Sequence, residues 1–141
     1  MIYFDSSALM KLIREEEETV ALSEWLDTQA DAPVVTSELG RVEVLRASRR
    51  AGSEVLAEAR AVVADLDLVP LDRGVQDLAA EIGGPLLRTL DALHVASAAL
   101  LRGELTVFVA YDYRLVSAAK ASGLPTASPG QPDPADAGQA G

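Results

Sequence analysis

The chain of 141 residues has no cysteine and a single histidine, His94. Thiolate catalysis, disulfides and cysteine-ligated zinc are therefore excluded, and a zinc or copper site built on several imidazoles has no ligands to draw on. No apolar run approaches the roughly 20 residues of a membrane span. The opening Met1-Ile2-Tyr3-Phe4-Asp5 lacks the basic region and long apolar stretch of a secretory signal, which implies a cytoplasmic protein. Three phosphate and hydrolase signatures are also missing: G-x-G-x-x-G, the Walker lysine loop and the G-x-S-x-G elbow. A phosphoacceptor receiver would want paired acids after its first strand, and Asp5 stands alone there. Basic residues are scarce, 12 against 22 acids for a net charge of -10, which disfavours binding nucleic acid by bulk electrostatics.

What is present describes one globular domain: 49% hydrophobic and 24% charged residues, on a chain long enough for one core. Ile2-Tyr3-Phe4 reads as a strand running into a helix capped by Asp5, Ser6 or Ser7. A short helix follows over 8–13, then Glu15 to Glu18 read as the solvated acidic first turn of a helix carrying Val20, Leu22, Trp25 and Leu26. Strands are expected at 33–36, 66–71 and 105–110, with a last one near 123–126. Helices are expected at 38–51, 53–65, 72–82, 89–101 and 115–122. The segment 128–141 has no large apolar side chain, so a disordered tail is expected behind a body of residues 1–127. Strands alternating with helices imply an α/β fold with a mostly parallel sheet covered on both faces.

In such sheets ligands bind beyond the carboxyl ends of the strands. Asp5 stands directly after the first strand, and Asp112 follows the 105–110 strand. Asp91 opens a helix that is apolar nearly all round, and Glu43 shares the Leu39-Glu43-Ala47 row of its helix. Each has a bland reading: Asp5 as a cap, Asp112 as a turn residue, Asp91 as a helix-terminus acid beside a Thr89 cap or paired with Arg88, and Glu43 paired with Arg46. Convergence of all four favours a divalent cation, because uncompensated carboxylates repel one another. Oxygen donors select Mg²⁺ or Mn²⁺, and the matching chemistry is phosphodiester hydrolysis. His94, three residues after Asp91, reads as a satisfied core histidine in preference to one that borders the site, and Ser7 as a hydroxyl neighbour of Asp5 or a packing or capping residue. Arg41, Arg46, Arg49 and Arg50 form the one dense basic segment, a footing for a phosphate backbone.

Four segments carry a resemblance: Tyr3-Phe4-Asp5-Ser6-Ser7-Ala8-Leu9, Glu43-Val44-Leu45-Arg46, Leu90-Asp91-Ala92-Leu93-His94-Val95-Ala96, and Tyr111-Asp112-Tyr113-Arg114-Leu115 with Gly123-Leu124-Pro125 behind it. In this order the sequence resembles the PIN-domain ribonucleases, specifically the VapC toxins of type II toxin-antitoxin pairs, over residues 1–127. The resemblance implies a three-layer fold with a five-stranded parallel sheet and an acidic quartet at Asp5, Glu43, Asp91 and Asp112. It also implies dependence on Mg²⁺ or Mn²⁺, an RNA substrate of the tRNA or rRNA class, homodimers, and a cognate VapB-like antitoxin. One departure is Ala110, where the family often carries Thr or Ser. The rival reading, from a different class, is a catalytically silent protein whose acidic pocket docks a basic partner.

Overall fold

The computed structural model describes residues 1–132. The elements in chain order are β1 (Ile2–Phe4), α1 (Ser6–Ile13), α2 (Thr19–Asp27), β2 (Val34–Ser37), α3 (Glu38–Ala51), α4 (Ser53–Ala64), β3 (Asp67–Val69), α5 (Arg73–Glu81), α6 (Thr89–Ala99), β4 (Val107–Val109), α7 (Tyr113–Ala121) and β5 (Thr126–Ala127). The strands form one sheet in the order β3-β2-β1-β4-β5, with every pairing parallel. β1 is the middle strand, and β4 is its neighbour with Tyr3 opposite Phe108 and Phe4 opposite Val109.

Period-two alternation sends the two faces of this sheet into different cores. Ile2, Phe4, Val107 and Val109 pack with Ala8, Leu9, Leu22 and Val44 from the helices of the first half. Tyr3, Val35 and Phe108 face Val95, Ala98, Leu115 and Ala119 of α6 and α7. Near-continuous apolar strands are what a sheet covered on both sides requires. α6 lies against the second face, and from Ala92 to Ala99 every residue but Leu93 is buried.

Two local expectations are corrected. Glu15 to Glu18 do not form the first turn of α2, which starts at Thr19. Lys11 draws them aside instead, its ammonium 2.7 Å from Glu18 and 3.4 Å from Glu16, while the Thr19 hydroxyl donates to the Lys11 carbonyl at 2.8 Å. Thr89 is the first residue of α6 rather than its cap; Arg88 takes the cap position with no side-chain bond. Residues assigned by composition to the tail are bonded to the end of β4: the Ser128 hydroxyl donates to the Ala110 carbonyl at 2.6 Å, and the Tyr111 hydroxyl donates to Pro129 at 2.8 Å. The rest of the expected tail, 133–141, lies outside the described residues.

Candidate active site

With β1 in the centre, the chain moves outward through β2 and β3, then crosses back to β4 and β5. The order reverses between β1 and β4, which opens a crevice at their carboxyl ends. Asp5 follows β1 directly, and its amide donates to the Val109 carbonyl of β4 at 3.1 Å. Asp112 lies three residues beyond β4.

Asp5 is 4% exposed. Its Oδ1 accepts from the Ala8 amide at 2.9 Å, so it caps α1, and the Ser7 hydroxyl lies 2.7 and 2.9 Å from its two oxygens. Ser7 in turn accepts the Tyr111 amide at 3.2 Å, tying the end of β1 to the end of β4. Burial pushes the Asp5 carboxyl above its ordinary value; the hydrogen bonds from Ala8 and Ser7, and His94 whenever it is protonated, oppose that rise. Asp112 is exposed and caps α7, with Oδ1 accepting from Arg114 and Leu115 at 2.8 and 3.4 Å. Both acids are thus helix caps, as expected for Asp5 and in place of the turn residue expected at Asp112. In Asp112 the cap leaves Oδ2 uncommitted.

Asp91 sits in the first turn of α6 and makes no ion pair with Arg88 among the described residues. Its carboxyl is also raised, first by burial and next by the negative charge of Asp112, with a smaller push from Glu43. Glu43 is likewise not paired with Arg46 among the described residues. Its Oε1 lies 2.5 Å from Nε2 of His94, a contact spanning 51 positions of sequence. His94 is 3% exposed, and its Nδ1 lies 2.8 Å from the Tyr3 hydroxyl. It is therefore the satisfied core histidine expected, and it also touches the site. Nothing in the sequence marks Tyr3 as more than a core aromatic; the one usable signal is that a buried phenol needs a polar partner, and the chain has one histidine.

Two clefts flank these acids. One of about 470 Å³ is lined by Ser7, Glu43, Arg46, Arg50 and Leu90. Another of about 470 Å³ takes in Asp91 with Arg88, Tyr113 and Arg114. A cavity of about 680 Å³ between α5 and α6 contains none of the four acids. Of the basic segment on α3, Arg46 and Arg50 reach the Glu43 cleft, whereas Arg41 lies with Arg60 in a groove between α3 and α4.

The donor set suits a hard divalent cation. Asp5, Asp91 and Asp112 have no cationic partner among the described residues, and their carboxylates are oxygen donors of the kind Mg²⁺ and Mn²⁺ prefer. No three His, Asp or Glu side chains among the described residues stand close enough together to enclose an ion. The fit is one of donor chemistry and shared electrostatics, not of a completed coordination shell.

A wholly parallel five-stranded sheet with acids at its switch point defines an α/β protein with an acidic crevice at the carboxyl ends of its strands. The PIN domain family matches residues 2–121. Ribonuclease VapC47 of Mycobacterium tuberculosis is 47% identical over 133 residues, covering 92% of this chain and 98% of that protein. Among solved structures, M. tuberculosis VapC20, described as a sarcin-ricin loop cleaving toxin, superposes with a TM-score of 0.69 at 17% identity, covering 92% of this chain and 100% of that one. VapBC2 from Rickettsia felis, bound to a promoter DNA fragment, gives 0.69 at 12% identity over 91% of this chain and 98% of that one. This chain belongs to the PIN domain family, in its VapC branch.

Proposed function

We propose that the chain is an endoribonuclease dependent on Mg²⁺ or Mn²⁺, a toxin that cuts translation-related RNA and is silenced by a VapB-like antitoxin. The observation that carries this reading is Asp5: a buried carboxylate without a cationic partner among the described residues, at the carboxyl end of the central strand and across the switch point from Asp112. Relatives named ribonucleases over nearly the full chain support it, as do structural neighbours that are toxin-antitoxin complexes. A cytoplasmic location and a homodimeric state belong to the same proposal.

Asp5, Asp91 and Asp112 would hold the cation, with Glu43 as a further ligand or the acid that orients water. A bound Mg²⁺ or Mn²⁺ supplies an activated water at neutral pH and a counter-charge for the leaving oxygen. The chain's own part is to hold the carboxylates still. Ser7 and the Ala8 amide fix Asp5, and the α7 amides fix one oxygen of Asp112. Arg46 and Arg50 on one side, and Arg88 and Arg114 on the other, offer guanidinium groups to phosphates.

The test is cleavage of tRNA and rRNA fragments by the purified chain. Cutting with Mg²⁺ or Mn²⁺, its loss in EDTA, and its loss in Asp5→Asn are the expected results. Tight binding of an arginine-rich peptide with no cleavage under any divalent cation would replace the nuclease by a docking protein.

A further inference from the structure

Glu43 is the member of the quartet with the most unusual neighbour. A glutamate on an exposed helix face ordinarily samples several rotamers or pairs with a cation three or four residues away. Here it reaches across to α6 and meets the chain's sole imidazole at 2.5 Å. That imidazole is held on its far side. Its Nδ1 lies 2.8 Å from the hydroxyl of Tyr3, which is fully buried, stacks on Phe108 at 5.2 Å with 5° between planes, and meets the His94 ring edge-on at 6.0 Å. A continuous line of contacts therefore runs from β4 through β1 and α6 to one carboxylate on α3.

The hydrogen bonds also place the proton. The Tyr3 hydroxyl lies 2.8 Å from Nδ1, with the hydroxyls of Ser37, Thr36 and Ser97 close by, and of these neighbours the imidazole nitrogen is the strongest acceptor for a buried phenol's proton. Nδ1 then accepts, and the imidazole proton sits on Nε2, where it donates to Glu43. The opposite tautomer would set the Nε2 lone pair against a carboxylate oxygen. The hydrogen bond at one nitrogen thus decides what the other offers.

We propose that His94 is a positioning residue: through Nε2–H, braced by Tyr3, it holds Oε1 of Glu43 and leaves Oε2 as the single oxygen that Glu43 brings to the cation or its water. This rests on the reading of Glu43 as part of the nuclease site. Partners of this kind, which orient a ligand without touching the ion, typically change metal affinity roughly 10–100-fold when removed.

The experiment uses the full, metal-free chain and Mn²⁺ as the probe, with binding followed by electron paramagnetic resonance and folding by circular dichroism. His94→Gln carries an amide N–H near the place of Nε2, and His94→Asn carries one near the place of Nδ1. His94→Asn should lose roughly 10–100-fold in Mn²⁺ affinity, while His94→Gln stays within about 3-fold of wild type. A merely structural histidine would not separate the two by which partner they keep. In the wild type, with its one histidine, a long-range proton–nitrogen spectrum should show Nε2 protonated and Nδ1 as an acceptor. That measurement stands even if the variants do not fold. A proton on Nδ1 with Nε2 bare, or a folded His94→Asn that binds Mn²⁺ like wild type while Glu43→Gln does not, overturns the positioning role alone. Unchanged Mn²⁺ affinity and RNA cleavage in Glu43→Gln overturn the reading of Glu43, and this inference with it.

Discussion

Asp5 shows how one side chain serves the fold and the site in opposition. Its carboxylate caps α1 and takes the Ser7 hydroxyl, yet its burial makes the charge costly. A folded-state pKa raised above the ordinary 3.8 means that the folded protein holds this proton more tightly than the unfolded chain. The resulting stabilisation is complete below 3.8 and is lost as pH rises through the raised value. Asp5→Asn is isosteric and retains an oxygen for the Ala8 amide, but it never ionises. Without metal it should melt at or above the wild-type temperature at neutrality, with the gap closing as pH falls through the raised value towards 3.8, while cleavage drops by roughly 10²–10⁴-fold. Thermal melts of both proteins across that range check the sign; a variant less stable than wild type at neutrality would mean that the charge holds the fold together. Asp5 and Asp112 were legible because a short apolar run announces its own end. The Glu43–His94 contact was not. Local helix rules offer only neighbours three or four positions away, and they pointed to Arg46.

At the scale of elements, α3 must be set against the end of β1 if Glu43 is to meet His94. Ser37 ends β2 and caps α3 through the Gly40 amide at 3.1 Å. The preceding Thr36 donates its hydroxyl to the Phe4 carbonyl at 2.7 Å, one residue before Asp5. Gly40 packs directly over that hydroxyl, and a Cβ there would overlap the Thr36 Oγ1. Alanine gains about 1 kcal/mol as a helix former, but overpacking a filled core typically costs 1–3 kcal/mol. Gly40→Ala should therefore lower the melting temperature by several degrees. In a double-mutant cycle it should couple to Thr36→Ala, which vacates the contested space. Additive losses would show that α3 shifts freely to accept the methyl. The strand and helix pattern was readable from periodicity, but this close approach was not, because a glycine inside a helix carries no sign of what stands over it. The start of α2 was misplaced for a related reason: Lys11 claims Glu16 and Glu18 through contacts that run against the local helix signal.

Across the whole molecule the charge is lopsided, -10 overall, with ten of the twelve basic residues arginine. The fold divides the basic segment of α3 that looked continuous in sequence. Arg46 and Arg50, one helical turn apart, line the Glu43 cleft; Arg88 and Arg114 line the Asp91 cleft; Arg41 and Arg60 share a separate groove between α3 and α4. The acids of the proposed cation site thus have a pair of arginines beside each of their two clefts. A chain this acidic repels RNA at long range, so affinity has to come from such local contacts. For single strands each phosphate neutralised contributes about 0.7 to the slope of log affinity against log salt. Replacing Arg46 and Arg50 together by alanine should therefore flatten the slope by about 1.4, with a similar loss for Arg88 and Arg114. Arg41→Ala with Arg60→Ala, in the remote groove, should leave it near wild type. The measurement is RNA binding by the metal-free chain over a salt titration, where cleavage does not intervene. A slope that responds to the Arg41 and Arg60 pair, and not to the other four, would move the RNA path to the α3–α4 face and away from the acids.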